Sequence, residues 1–170
     1  MEKETKNAGI LGIGNLLISD EGFGVHVVEF LEEHYSFPKS VIVLDGGTAG
    51  IYMAPFLEEH DPIFVVDVVN IDNAAPGNLY TFSAEDARKG SMQTRMSPHQ
   101  LGILEILDIC KLRGIQPECV EFYCVVPESL ATGIEMSDVV ASKVKKISGL
   151  LVERLQQLGY DIHLKENIHA

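Results

Sequence analysis

The stretch of sequence that decides the fold is Ile10-Leu-Gly-Ile-Gly-Asn-Leu-Leu-Ile-Ser-Asp-Glu-Gly-Phe-Gly24. It begins inside an apolar segment, Ala8–Ile13, which is short enough to be a buried parallel strand. A Gly-Asn pair then marks a turn, and a Ser-Asp pair supplies oxygens that can cap a helix running from Glu21 to about Tyr35. Because ligands bind at the carboxyl ends of strands in open α/β sheets, we expect Asp20 and Glu21 to lie where chemistry takes place.

Strands and helices alternate along the rest of the chain. Further strands are predicted at Ser40–Leu44, Pro62–Val69, Leu79–Phe82 and Glu118–Val126. Further helices are predicted at Thr48–Glu59, Pro98–Leu112 and Asp138–Leu158. The third of the further strands, which follows a Gly-Asn turn, is expected to run antiparallel at the sheet edge. The alternation predicts a three-layer α/β/α sandwich with a mostly parallel, twisted sheet and one antiparallel strand.

Several local features refine this picture. Pro55 falls inside a predicted helix and indicates a kink or a break there. The polar segment Ala84–Met96 is expected to be a mobile loop, and Asp138–Leu158 the longest helix. At 170 residues we expect one domain covering residues 1–170, with a core at about 8–158 and a loosely held tail from Gly159.

The charge of the chain limits its partners. Lys and Arg total 13 against 25 Asp and Glu, which gives a formal net charge of −12 at pH 7. This balance opposes binding to nucleic acids or anionic membranes. The acidity has two interpretations, solubility or attraction of a cationic partner, and the sequence leaves both open.

The cellular compartment is indicated by what the chain lacks. Met1–Asn7 has no apolar core of a secretory signal, and no apolar run approaches the roughly 18 residues of a spanning helix. Cys110, Cys119 and Cys124 match no zinc or redox spacing, so we expect reduced, mostly buried thiols in a cytoplasmic protein.

Four acidic residues fall at or beside predicted strand ends: Asp20, Glu21, Asp45 and Asp67. Asp67 stands within Ile-Phe-Val-Val-Asp-Val-Val, where an unpartnered charge costs several kcal/mol. Asp20 and Asp45 are candidate catalytic carboxylates, although helix capping by Asp20 and turn formation by Asp45 explain them equally well.

His99 can complete a site with these acids. It follows Ser97 and Pro98 at a predicted helix start, where Gln100 completes a capping box. The positive end of the helix dipole disfavours the imidazolium, and the neutral ring is the form that binds metals. One His with two carboxylates, Glu21 and Asp67, leaves coordination positions open for a substrate, and this set suits zinc, nickel or iron.

Other motifs are excluded or weak. Gly12-Ile-Gly-Asn-Leu-Leu17 begins like a dinucleotide fingerprint, but Leu17 stands where the third glycine is needed. The chain has no Gly-Lys-Ser/Thr phosphate loop and no Gly-x-Ser-x-Gly elbow. A nucleotide-binding module with Asp45 on a ribose nevertheless remains an alternative.

Several blocks together resemble the hydrogenase maturation endopeptidases, which process the large subunit of nickel–iron hydrogenases. The blocks occur in order between about residues 8 and 158, and they are Gly14-Asn-Leu-Leu-Ile-Ser-Asp-Glu21, Asp45-Gly-Gly-Thr-Ala-Gly50, Asp67, Ser97-Pro-His-Gln-Leu-Gly102 and Pro127-Glu-Ser-Leu130. Each block alone is a weak signal. Their combination is specific.

The resemblance implies an endopeptidase that removes the C-terminal extension of a nickel-loaded large-subunit precursor. It implies that the residues matching Glu21, Asp67 and His99 bind nickel supplied by the substrate, and that the cut follows a basic residue near the nickel-binding cysteines. Attack by a metal-polarised or carboxylate-activated water, the latter an aspartyl-type peptidase activity, is the simplest chemistry. Asp45 is expected to position groups or transfer a proton. We expect a monomer, and the alternative function is a nickel-sensing or escort protein that does not cut.

Overall fold

The computed structural model describes residues 6–90 and 94–166. Its strands are β1 (Asn7–Ile13), β2 (Tyr35–Ser36), β3 (Val41–Gly47), β4 (His60–Val68), β5 (Asn70–Ile71), β6 (Leu79–Ser83), β7 (Thr94–Arg95), β8 (Val120–Val125) and β9 (His163–Leu164). Its α-helices are α1 (Phe23–His34), α2 (Ala54–Glu59), α3 (Ala84–Lys89), α4 (Pro98–Leu112), α5 (Asp138–Ala141) and α6 (Val144–Gln157). Two short 3₁₀ turns, Ser19–Gly22 and Gly50–Met53, precede α1 and α2.

The central sheet has the strand order β3-β1-β4-β8-β6. The strands β3, β1, β4 and β8 are parallel, and β6 runs antiparallel to β8 at the edge. The predicted mostly parallel sheet with one antiparallel strand is therefore confirmed. The chain leaves β1 in one direction towards β3 and returns past it to β4, so the switch point of the topology lies between the carboxyl ends of β1 and β4.

Helices cover both faces of the sheet, as the sandwich prediction requires. On one face, Phe23 and Leu31 of α1 and Leu151 of α6 pack on alternate strand residues such as Ile10 and Phe64. On the other face, side chains of α2 and α4 pack on the intervening strand residues, and this second cluster includes Leu57, Ile103, Leu107, Leu11 and Val65. The alternation of the strands between the two clusters follows from the two-residue period of a strand.

The first turn of α1 lies in close backbone contact with the sheet. A Cβ added at Gly24 would lie 2.3 Å from the carbonyl oxygens of both Ile13 and Val66, and one added at Gly12 would lie 2.2 Å from the carbonyl oxygen of Gly24. Only glycine permits this approach. The contact fixes the 3₁₀ turn that precedes α1 beside the ends of β1 and β4.

Three predictions about local structure were wrong in part. The segment predicted as a mobile loop contains α3, because Ser83 and Asp86 form a capping box. The predicted helix 138–158 is divided into α5 and α6, and α4 is longer than either. At the division the Ser142 hydroxyl donates to the Val139 carbonyl, a local bond that competes with the helical ladder. Residues 91–93 of the predicted loop lie outside the described residues.

The tail is also held more firmly than the sequence predicts. Ile162 is 1% exposed in the main core, and β9 pairs with β2. Gln156 donates to the Ile162 carbonyl, which anchors the return of the chain after α6. Residues 167–170 lie outside the described residues.

The predicted break at Pro55 is confirmed, since this proline stands at the start of α2 directly after a 3₁₀ turn.

Two further expectations can be compared with the structure. Cys110 and Cys124 are buried free thiols, and Cys119 is a half-buried free thiol. None of the helices in the two described parts of the chain is long and apolar enough to cross a bilayer.

Candidate active site

Asp67 lies near the carboxyl end of β4, next to Cys124 of β8, and is fully buried. Its Oδ2 accepts a hydrogen bond of 2.9 Å from the Ser97 hydroxyl, whereas its Oδ1 is buried without a partner. Burial raises the pKa of Asp67 to about 7, and the negative charge of Glu21 acts in the same direction. A buried oxygen without a partner is costly, and such atoms concentrate at functional sites.

The amino end of α4 is tied to β4 by a network of buried hydrogen bonds. Ser97 and Gln100 form the predicted capping box, with the Ser97 hydroxyl accepting from the Gln100 backbone and the Gln100 side chain accepting from the Ser97 backbone. The side-chain amide of Gln100 is fully buried and donates to the Val68 carbonyl at 2.8 Å. The first turn of α4 is therefore held against the end of β4.

His99 lies in this first turn, two residues after the serine that contacts Asp67. Its ring is half-buried, and its Nδ1 is enclosed without a hydrogen-bond partner. The structure thus brings two predicted metal ligands to the same corner, each with a buried polar atom that has no partner in the protein. Imidazole nitrogen and carboxylate oxygen are both ligands for divalent metal ions.

Glu21 lies near enough to Asp67 for its charge to act on that carboxyl group. It lies in the 3₁₀ turn before α1, is half-buried, and its charge acts on Asp67. Within residues 6–90 and 94–166, no three His, Cys, Asp or Glu side chains are close enough to enclose a metal ion. Glu21, Asp67 and His99 therefore do not form a closed set of metal ligands in this structure, and their ligation of nickel stays a prediction.

Asp20 has a different environment from its neighbour. Its fully buried carboxylate accepts hydrogen bonds from the backbone of Glu128, Ser129 and Ser137 at 2.7–2.8 Å and from the Ser137 hydroxyl at 2.9 Å. Burial acts to raise the pKa of Asp20, but these hydrogen bonds outweigh it and hold the pKa below its usual value. The geometry gives Asp20 the structural role of holding the loop after β8, and the alternative of helix capping does not occur.

Asp45 stands exposed at the carboxyl end of β3, beside Gly12 of β1. Its Oδ1 accepts from the Gly47 backbone at 2.8 Å, which is the turn geometry that the Asp-Gly-Gly sequence offers. The catalytic roles of Asp45 and Asp20 stay predictions, and for Asp20 the geometry lends no support.

Sequence reasoning missed the contacts that link these elements. The spacing of Ser97 and Gln100 gave the capping box but not the bonds to Asp67 and Val68, since these depend on where α4 packs. The partners of Asp20 lie more than 100 residues away along the chain. The one available signal was the Pro127-Glu-Ser-Leu130 block, which contains two of them.

The fold is an open α/β sheet with ionisable side chains at its carboxyl edge, where proteins of this class bind their ligands. The family model for hydrogenase maturation proteases (HycI) matches residues 25–154. The chain belongs to this family, and it is a peptidase.

Individual relatives agree with the family match. The chain is 31% identical over 160 residues to the hydrogenase 2 maturation protease of Escherichia coli K12, covering 94% of this chain and 97% of that protein. It is 36% identical over 154 residues to the hydrogenase expression/formation protein HoxM of Azotobacter vinelandii, covering 90% of this chain and 74% of the relative. Among solved structures, the endopeptidase HybD from E. coli superposes with a TM-score of 0.86 at 30% identity, covering 94% of this chain and 98% of that chain.

Proposed function

We propose that the protein is an endopeptidase that removes the C-terminal extension from the nickel-loaded precursor of a nickel–iron hydrogenase large subunit. In this proposal Glu21, Asp67 and His99 contact the nickel ion of the substrate. The observation that carries it is the pair of buried atoms without partners, Asp67 Oδ1 and His99 Nδ1, in two elements that the Ser97–Asp67 hydrogen bond joins.

The names of the relatives support the substrate class. The E. coli relative is a hydrogenase 2 maturation protease, and the E. coli structure is a hydrogenase maturating endopeptidase. An incomplete set of protein ligands suits an ion that arrives on another protein, because the substrate's own ligands would occupy the remaining positions. A nickel ion without the precursor would have only an incomplete ligand set.

The chemistry that fits these residues is attack by a water molecule on the peptide bond held next to the nickel. The water is polarised by the metal or activated by a carboxylate, which would make the enzyme an aspartyl-type peptidase. As a nickel ligand, Asp67 would be held in its ionised form by the positive charge of the metal, so its proposed role is coordination and not proton exchange. Asp45 is exposed at the same edge of the sheet, and in this proposal it positions reacting groups or transfers a proton.

The test uses purified full-length protein with nickel-loaded and nickel-free precursor, followed by mass spectrometry of the large subunit. We expect loss of the C-terminal extension only from the nickel-loaded precursor. His99→Ala should abolish this cleavage, whereas His163→Ala, at an exposed position in β9, should cleave like the wild type. Cleavage by the His99→Ala variant at the wild-type rate would exclude the docking role.

The same experiment separates the alternative function. A nickel-sensing or escort protein would bind the nickel-loaded precursor and leave its mass unchanged.

We further propose that the enzyme acts in the cytoplasm as a monomer, a proposal supported by its free thiols and acidic surface. Light scattering of the purified protein tests whether it is a monomer in solution.

A further inference from the structure

The charges of the chain are distributed unevenly over the fold. Four segments connect elements at the carboxyl edge of the sheet, namely 14–22, 45–53, 69–78 and 126–138, and together they contain seven Asp or Glu and no Lys or Arg. A fifth connection, 90–97, contributes Arg95 as its basic residue, and the other 12 Lys and Arg lie outside these five segments. The edge that carries the candidate site is therefore the acidic part of an acidic protein.

The same edge exposes large apolar side chains. Leu17 is 64% exposed, Leu130 is 49% exposed and Ile134 is 71% exposed. Leu17 belongs to the loop after β1, and the other two belong to the loop after β8. Exposed apolar side chains concentrated on adjoining loops indicate a protein-binding surface.

Hydrogen bonds hold the two loops together. The Gly133 backbone donates to the Leu17 carbonyl at 2.9 Å, and the Ser19 backbone donates to the Gly133 carbonyl at 2.8 Å. The Asp20 backbone donates to the Ser129 carbonyl at 3.2 Å, and its carboxylate accepts from the same loop. Asp20 directly precedes Glu21. The apolar residues are thus continuous with the corner at which we place the nickel of the substrate.

We infer that Leu17, Leu130 and Ile134, with the exposed carboxylates of Glu128 and Glu135, form a docking surface for a positively charged, partly apolar face of the hydrogenase precursor. The inference rests on the proposed function and names the part of the enzyme that binds the body of the substrate. Opposite charges accelerate association and set orientation, while burial of the apolar side chains supplies affinity.

The distribution of charge argues against other occupants. A second copy of the chain would bring two acidic edges together, and a nucleic acid or an anionic membrane would be repelled in the same way. A cationic protein face is the occupant that this edge favours. Arg95 is the single basic residue of the edge segments and does not reverse their balance.

The apolar part of the surface is tested with a double variant, Leu17→Ser with Ile134→Ser. With the nickel-loaded precursor as substrate, we expect the KM of this variant to be about tenfold higher than that of the wild-type enzyme. Its kcat should stay within about twofold of the wild-type value. The matched control is Leu112→Ser, because Leu112 is 90% exposed at the far end of α4. Thermal unfolding of each variant checks that it is folded.

The charged part is tested with Glu128→Gln combined with Glu135→Gln. Wild-type KM should rise with ionic strength, and this rise should be smaller in the variant because two attractive charges are removed. The control, Glu32→Gln with Glu153→Gln, removes two exposed charges from the outer faces of α1 and α6 and should keep the wild-type salt dependence.

The outcomes separate this inference from the proposed function. If wild-type enzyme does not cleave the nickel-loaded precursor, the proposed function is wrong. If wild-type enzyme cleaves and the Leu17/Ile134 variant has the KM of the Leu112 control, the docking surface is wrong although the function stands. A dimer in light scattering that the Leu17/Ile134 variant abolishes would assign the surface to self-association and would also overturn the inference.

Discussion

The hydroxyl of Ser97 lies 2.9 Å from Oδ2 of Asp67 and joins the first turn of α4 to the carboxyl end of β4. The same hydroxyl accepts the Gln100 backbone N–H as the cap of the helix. One side chain therefore caps the helix that carries His99 and also donates a hydrogen bond to the carboxylate of Asp67. The capping box, a local feature of the chain, becomes part of the site through this contact.

We predict that Ser97→Ala lowers stability and activity together. The lost cap costs about 1 kcal/mol, and the Asp67 carboxyl loses the hydroxyl donor to its Oδ2. Urea unfolding measures the first effect and precursor cleavage the second. Ser83→Ala removes the equivalent cap of α3, away from the site, and should cost similar stability with no loss of cleavage rate. Equal activity losses in the two variants would contradict a role for the Ser97–Asp67 contact.

Replacing Gln100 should destabilise the protein more than its position near a helix end suggests. Gln100→Ala leaves the Val68 carbonyl without its buried donor and opens space in the core, at a cost of about 2–3 kcal/mol. Gln157→Ala, at the exposed end of α6, should change the free energy of unfolding by less than about 0.5 kcal/mol. Denaturant titrations of both variants measure the difference.

Asp20→Asn should release the loop after β8. An amide offers one acceptor oxygen and turns its NH₂ group towards backbone donors, so we expect a loss of about 2–4 kcal/mol. Limited proteolysis should cut within residues 128–137 of the variant at enzyme concentrations that leave the wild type intact. Asp161→Asn, at an exposed position, is the control. A variant as resistant as the wild type would show that other contacts hold the loop.

The Glu121–Arg154 ion pair should make stability depend on pH. Burial acts to raise the pKa of Glu121, but hydrogen bonds from Arg154 and the Tyr123 hydroxyl outweigh it and place the pKa below its usual value. The unfolded chain therefore binds a proton at higher pH than the folded chain does. This contribution is complete above the unfolded pKa of about 4.3 and is lost as pH falls through the lower folded value.

The measurement is the difference in unfolding free energy between wild type and Glu121→Gln from pH 3 to pH 7. We expect about 1 kcal/mol at neutral pH, shrinking as the pH falls below about 4. Glu85→Gln removes the exposed Glu85–Lys89 pair and should give a smaller difference, because solvent screens that pair. A difference for Glu121 that grows on acidification would have the wrong sign for this interpretation.

The sequence predicted most of the elements and the arrangement of the sheet because these depend on local patterns. Apolar runs gave β1, β4 and β8, and the Ser97–Gln100 spacing gave the start of α4 to the residue. The sequence did not predict the features that depend on contacts between residues far apart in the chain. In the sequence Ile162 belongs to a polar tail, but in the structure the chain after α6 returns to pair with β2 and buries this side chain in the core.

The same division holds for the site. The positions of Glu21 and Asp67 followed from the rule that strand ends gather at one edge of a sheet, and the structure places them there. The distinct environments of Asp20 and Glu21 could not be predicted. These two adjacent acids differ because the first is reached by the loop that follows β8, more than 100 residues later.

The contact of Gly24 with the Ile13 and Val66 carbonyls leaves no room for even a methyl group between α1 and the two strands that flank the switch point. Backbone atoms alone therefore fix how closely the amino end of α1 approaches the carboxyl ends of β1 and β4, beside which Glu21 and Asp67 lie. Substitutions that aim to reshape this edge of the sheet must therefore act through its side chains, because the backbone contact beneath them leaves no space into which the helix could move.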